Sequence, residues 1–135
     1  MSMTDPLADL FVRIQNAGRR GHDLVQIPSS RVKKDVLRIF KEEGFIRDFK
    51  ASTGTNGHPV LEVSLRYAPG RQKKSFITGI KRISKPGCRV YAGQEDLPRV
   101  MRGLGLAIVT TDRGLLTDEQ CRSLKVGGEV LCHVW

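Results

Sequence analysis

Apolar residues at Leu7, Leu10, Phe11 and Ile14 recur at the spacing of a single helix face, so the chain opens with an amphipathic helix. Asp5 can cap it, and Pro6 suits the first helical position, where a missing N–H costs nothing. Gly18 is expected to end it. Leu24 to Ile27 reads as a short strand stopped by Pro28. Ser29 or Ser30 then caps a second helix, with Val32, Val36, Leu37 and Phe40 facing inward and Gly44 closing it. Phe45 to Phe49 is a further strand. After the turn-rich segment 52–59, the run Val60 to Tyr67 alternates strictly, with Leu61, Val63, Leu65 and Tyr67 on one side. The first half thus reads α-β-α-β-β, helices packed on a small sheet.

Residues 68–74 resemble a linker, which divides the chain into an N-terminal α/β domain, 1–67, and a mainly β domain, 75–135. In the second part, Phe76 to Ile83 is a strand, Lys85-Pro86-Gly87 a turn and Arg89 to Tyr91 another strand. Leu97 to Met101 is one helical turn and Leu104 to Thr111 a buried strand. Thr117 and Gln120 have the spacing of a capping box, so a short helix begins there. Val130 to Trp135 closes the chain as a strand. The expected fold class is α+β, in two small domains.

Composition excludes several classes. With 39% hydrophobic and 27% charged residues in 135, the chain can bury a real core. No apolar run approaches the roughly 18 residues needed to span a bilayer. The N-terminus, with Asp5 and Asp9, lacks the apolar block of a secretory signal. Cys88, Cys121 and Cys132 are odd in number and irregularly spaced, which fits reduced thiols in a cytoplasmic chain better than disulfides or a metal site. His22, His58 and His133 are scattered, Cys88 has no partner base in sequence, and the glycine pairs lack any nucleotide-binding lysine. No cofactor is expected. The enzyme reading, a nucleic-acid enzyme using Cys88 or His133, is thin.

Charge changes the picture more. The net charge is +9, and residues 63–94 hold eight basic residues, Lys73 and Lys74 among them, with no acid. Nucleic acid is the natural partner of that field; the bland alternative is a solubilising basic face. A membrane surface fits less well, because the segment alternates like a strand. An architectural DNA binder would be expected to carry a helix-turn-helix or a basic helix, and neither pattern occurs. Two polar clusters stand at strand ends. Thr110-Thr111-Asp112-Arg113-Gly114 offers hydroxyls and backbone amides suited to RNA, or is simply a hairpin turn. Gly127-Gly128-Glu129 permits close backbone approach beside an acceptor, or is a glycine turn.

The segments TDPLADLFVRIQNA, KEEGFI, KPGCRVY, LGLAIVTTDRGLLTD and VGGEVLCHVW, in this order, resemble the family of the eighth protein of the small ribosomal subunit in its bacterial form. The resemblance implies a non-enzymatic primary binder of 16S ribosomal RNA that recognises the central domain and helps organise the 30S platform. It also implies contacts with the fifth and twelfth small-subunit proteins and, in some bacteria, repression of the protein's own messenger RNA. Matched by position, RNA contacts would be Thr110, Thr111 and Asp112 with Gly127, Gly128 and Glu129 opposite. Lys85, Pro86, Arg89 and Tyr91 would add charge and a stacking ring, and Thr4, Asp5, Pro6, Arg13, Asn16 and Lys33 would lie near RNA in the first domain. Where the family usually has Ser-Thr-Ser, this chain has Thr110-Thr111-Asp112. The Asp112 carboxylate would accept from a base or 2′-hydroxyl, or pair with Arg113. Cys121 stands where a small Ala or Gly is usual, as core packing.

Overall fold

The computed structural model describes residues 5–135. They form two compact units: Pro6–Ile77, and Thr78–Trp135 together with Asp5. The boundary therefore falls at 77/78, and residues 68–74, expected as a linker, belong to the first unit as part of a hairpin.

The first unit runs α1 (Pro6–Arg20), β1 (Leu24–Pro28), α2 (Arg31–Glu42), β2 (Ile46–Thr53), β3 (Pro59–Leu65), β4 (Tyr67–Ala68) and β5 (Lys74–Ser75). Strands β1, β3 and β2 make an antiparallel sheet in that order, and β4 and β5 pair separately. The alternation of β3 is realised: Leu61, Val63 and Leu65 are buried, whereas Glu62 and Ser64 are only half-covered. The core they join includes Leu10, Phe11, Ile14, Leu37 and Phe40, with the Phe11 and Phe40 rings stacked 6.3 Å apart.

Three details depart from the sequence pattern. Helix α1 continues through Gly18 and stops at Gly21, whose φ is +72°. Gly18 is a packing glycine: a Cβ there would lie 3.1 Å from the Ser75 hydroxyl oxygen, so β5 crosses the helix where no side chain intervenes. In α2, capped by Ser30 through the Lys33 amide, Val32 faces outward and Lys33 and Ile39 are buried instead. Lys33 is 5% exposed because its ammonium reaches back to the Pro28 carbonyl at 3.1 Å, tying the helix start to the end of β1. Its aliphatic stem fills the core edge while the charge is met by a carbonyl dipole.

The second unit comprises β6 (Ile80–Arg82), β7 (Tyr91–Ala92), a 3-10 turn (Met101–Gly103), β8 (Leu106–Thr111), β9 (Gly114–Thr117), α3 (Asp118–Leu124) and β10 (Gly128–Val134). Strand β10 is central, pairing antiparallel with β6, β7 and β8, while β9 pairs with the outer side of β8. The long strand expected over 76–83 is thus only three residues. Before it, the amides of Thr78 and Gly79 donate to the Trp135 carbonyl, a local arrangement that alternation does not announce. The helical turn falls at Met101–Gly103 rather than 97–101, with Met101, Arg102 and Gly103 all at positive φ, and Leu104 is exposed ahead of the strand it was expected to begin. The capping box at Thr117 and Gln120 forms as expected, with both reciprocal bonds present. Asp118, 5% exposed, accepts the Ala107 amide at 3.0 Å and pairs with Arg122 at 2.7 Å, fastening α3 to β8.

Removing the Ser30 hydroxyl leaves an orphan amide at one helix end, whereas truncating Phe40 empties the core. Ser30→Ala should therefore cost about 1 kcal/mol and Phe40→Ala about 3–5 kcal/mol, read from urea unfolding.

Candidate nucleic-acid interface

In the second unit, three strands meet at one end of β10. Glu129 lies opposite Thr110 of β8 on one side and opposite Tyr91 of β7 on the other. Such convergence needs glycine. A Cβ on Gly128 would fall 2.1 Å from the Thr110 carbonyl oxygen, and one on Gly127 would fall 2.4 Å from that of Ala92. No other side chain lets the backbones come this close.

The result is an open groove of about 510 Å³ lined by Tyr91, Thr110, Thr111, Asp112, Val126, Gly127, Gly128 and Glu129. Seven of these eight were singled out in the sequence, and the eighth, Val126, leads into the glycine pair. The two strand-end clusters therefore face one another across a single cleft.

Each wall has its own chemistry. Asp112 and Arg113 turn the β8–β9 hairpin, with Gly114 taking φ +96° just after them. Thr111 is consumed by this turn: its hydroxyl donates to the Gly114 carbonyl at 2.9 Å and accepts the Arg113 amide at 3.0 Å. Thr110 is half-buried, and its hydroxyl makes no hydrogen bond among the described residues. Asp112 is exposed and makes no ion pair with Arg113 or any other described residue, so its carboxylate is open to solvent and to a ligand. Tyr91, which lines the groove with its aromatic side chain, is 69% exposed.

Glu129 is not free. Its Oε2 accepts both the Ser84 hydroxyl and Arg89 Nη1, the latter at 3.0 Å. Burial pushes its carboxyl up, but the hydrogen bonds from Ser84 and Arg89 and the charges of Arg89 and Arg82 prevail and hold it below the ordinary carboxylate value. Ser84, wholly buried, was missed in the sequence because a lone serine before a lysine-proline turn carries no pattern.

The remaining candidates are dispersed. Lys85 and Pro86 sit on the tight turn closed by Lys85 and Cys88, outside the groove lining. Asp5 accepts Arg82 Nε at 2.9 Å in a shielded ion pair. In the first unit, Pro6 and Asn16 are exposed, and Arg13 is half-exposed and paired with Asp9 at 3.0 Å. Lys33 is buried, as described, so its expected place at an RNA surface conflicts with its position: its ammonium is spent on the Pro28 carbonyl. Lys73 is bound to Asp23 at 2.7 Å and to the Gly21 carbonyl at 3.0 Å, while Lys74 is exposed. Thr4 lies outside the described residues.

Among the described residues no group of three or more His, Cys, Asp or Glu is placed to hold a metal, and no helix is long and apolar enough to cross a membrane. Burial drives the Cys132 thiol up to about 12 and raises that of Cys121. Burial, with Lys81 nearby, also lowers His133.

The family model described as ribosomal protein S8 matches residues 5–135. The chain belongs to the ribosomal protein S8 family. Among curated relatives, it is 49% identical to the small ribosomal subunit protein uS8 of Caldicellulosiruptor bescii, 51% to that of Leuconostoc citreum and 49% to that of Acholeplasma laidlawii. Each match covers all of this chain and all of the relative. Proteins of this family are structural rather than catalytic.

Two outcomes follow from the groove geometry. Gly128→Ala should force β8 and β10 apart, destabilising the unit by about 1–3 kcal/mol and speeding hydrogen exchange of the amides that bridge β8 and β10. Glu129 has a depressed carboxyl, so its contribution to stability is complete above the unfolded value near 4.5 and is lost as pH falls through the lower folded value. Glu129→Gln should remove that part of the acid-side slope in denaturation curves recorded between pH 6 and pH 3, roughly the window carboxylates span.

Proposed function

We propose that this chain is a structural constituent of the small ribosomal subunit that binds 16S ribosomal RNA directly, in its central domain, and helps assemble the platform. The observation that carries the reading is the single groove uniting Tyr91, Thr110, Thr111, Asp112, Gly127, Gly128 and Glu129. Its equipment suits RNA: a stacking ring, a hydroxyl without a partner among the described residues, an exposed carboxylate and glycine backbone that a ribose-phosphate chain can approach closely. Contacts with the fifth and twelfth small-subunit proteins, and binding to the protein's own messenger RNA, belong to the same reading. The action is in the ribosome of the cytoplasm.

Affinity and selectivity have separate sources. Within the basic segment, the side chains of Arg71, Lys74, Lys81 and Lys85 are exposed and make no hydrogen bond or ion pair among the described residues. If those four meet phosphates, log affinity should fall with log salt at a slope of about −3 to −4. Lys74→Ala should weaken cognate and unrelated RNA alike. A flat salt response in fluorescence titrations would remove the electrostatic half of the reading.

Selectivity should reside in the groove. Stacking on Tyr91 is worth about 1–3 kcal/mol, so Tyr91→Ala should lose roughly ten- to a hundred-fold affinity for a 16S central-domain fragment. Loss on a nonspecific duplex should be far smaller, since a duplex offers no splayed base. Thr110→Ala should behave alike with a smaller effect, about five-fold, the worth of one placed hydrogen bond. Equal losses on both RNAs would reject the groove as the reading surface.

A further inference from the structure

We infer that Ser84 is a positioning residue of the groove, acting through Glu129 to hold Arg89 at its edge; the inference rests on the RNA-binding reading above. The side chain of Ser84 is wholly buried and lies outside the groove lining. Its hydroxyl accepts the Val90 amide at 3.1 Å and donates to Glu129 Oε2. Its backbone amide donates to the Val130 carbonyl at 3.0 Å, while the Val130 amide donates to Val90 at 2.9 Å. Residue 84 thereby joins the segment after β6, the entry to β7 and the start of β10.

The direction of the chain of bonds is fixed by the inventory of donors. A hydroxyl has one proton. Because the Val90 N–H must be accepted by the Ser84 oxygen, the hydroxyl proton is left for Glu129. Glu129 must then be the acceptor, and two donors on one oxygen, one of them a guanidinium, favour its ionised form, the stronger acceptor. A run of bonds aligned in one direction strengthens each member. The groups facing Glu129 favour this state: Arg89 and Arg82 by charge, with uncharged Thr110 opposite on β8 and Tyr91 opposite on β7. Arg89, with 49% of its side chain exposed against 14% for Glu129, is the most open member of the relay and the one placed to meet an RNA phosphate or base edge. The acid beside an RNA groove is thus an anchor for an arginine, and the buried serine sets the anchor's angle.

The test uses the full chain, a 16S central-domain fragment and a nonspecific duplex, with Ser84→Ala, Glu129→Asp, Glu129→Gln and the pair Ser84→Ala/Glu129→Gln. Ser84→Ala should lose about ten-fold affinity for the fragment, the value of one well-placed bond, and little on the duplex. In the Glu129→Gln background the same change should cost less than about two-fold, because the amide still accepts from Ser84 but lacks the charge that holds Arg89. In carbon-13 titrations without RNA, the Glu129 carboxyl should titrate at higher pH in Ser84→Ala than in the parent chain. Glu129→Asp keeps the charge but shortens the reach to Ser84, so it should lose as much as Ser84→Ala, and it carries the test should that variant fail to fold. An unmoved Glu129 titration, an undiminished loss in the Glu129→Gln background, or Glu129→Asp binding like the parent would overturn the inference. A parent chain that binds fragment and duplex equally would instead overturn the RNA-recognition reading, with the titration still reporting on the serine–glutamate link.

Discussion

The second unit depends on a close approach of backbones. Strand β10 can pair with β7 and β8 at the same residues only because Gly127 and Gly128 carry no side chain where carbonyl oxygens would stand 2.4 and 2.1 Å away. Everything at the groove follows from that contact. It brings Thr110 and Tyr91 to either side of Glu129, it exposes glycine backbone on the floor, and it aims the β8–β9 turn across the cleft. The glycines lose more conformational entropy on folding than any other residue would. The packed core beneath them, Val109, Val130, Ala107 and Cys121 among its members, offsets that loss by burying apolar surface.

What was legible in the sequence was what has a period or a local donor–acceptor logic. The alternation of β3, the apolar face of α1, the proline stop of β1 and the Thr117 capping box are all decided within a few residues, and the structure has them in place. The groove was legible in a different way. Its residues come from three segments that no local rule connects, and only the resemblance to a family placed them opposite one another. What escaped was whatever depends on a partner distant in sequence. Gly18 looks like a helix stop until Ser75 is seen against it. Lys33 looks like a surface cation until the Pro28 carbonyl is found within reach of its ammonium. Ser84 looks like nothing at all, because its two partners lie 6 and 45 residues away.

The same lesson reshapes the electrostatic argument. Eight basic residues without an acid in 63–94 suggest a uniform cationic field. The fold divides them, Arg66, Arg71, Lys73 and Lys74 falling in the first unit and Lys81, Arg82, Lys85 and Arg89 in the second. It also occupies half of them: Arg66 donates to Gly44 and lies over Phe76, Lys73 binds Asp23, Arg82 binds Asp5 and Arg89 binds Glu129. The acids absent from the segment are supplied by other parts of the chain. Net charge therefore still measures the long-range attraction for a polyanion, but the number of contacts at the surface is set by cations the fold leaves unpaired.

That distinction assigns the two kinds of arginine different work. Arg82, with 11% of its side chain exposed and bound to Asp5 and the Leu131 carbonyl, is a strut whose charge adds to the field around Glu129. Arg89, half-exposed, is held at one end and open at the other. A side chain so restrained surrenders less rotamer freedom when it meets a ligand than a free lysine does, which is how a paired cation can contribute to selectivity although the pairing lowers its bulk attraction. On the RNA-binding reading proposed above, the positive charge divides by mobility: Arg71, Lys74, Lys81 and Lys85, unpaired among the described residues, would draw RNA in from any direction, and Arg89, fixed through an acid to a buried serine, would set how that RNA is seated.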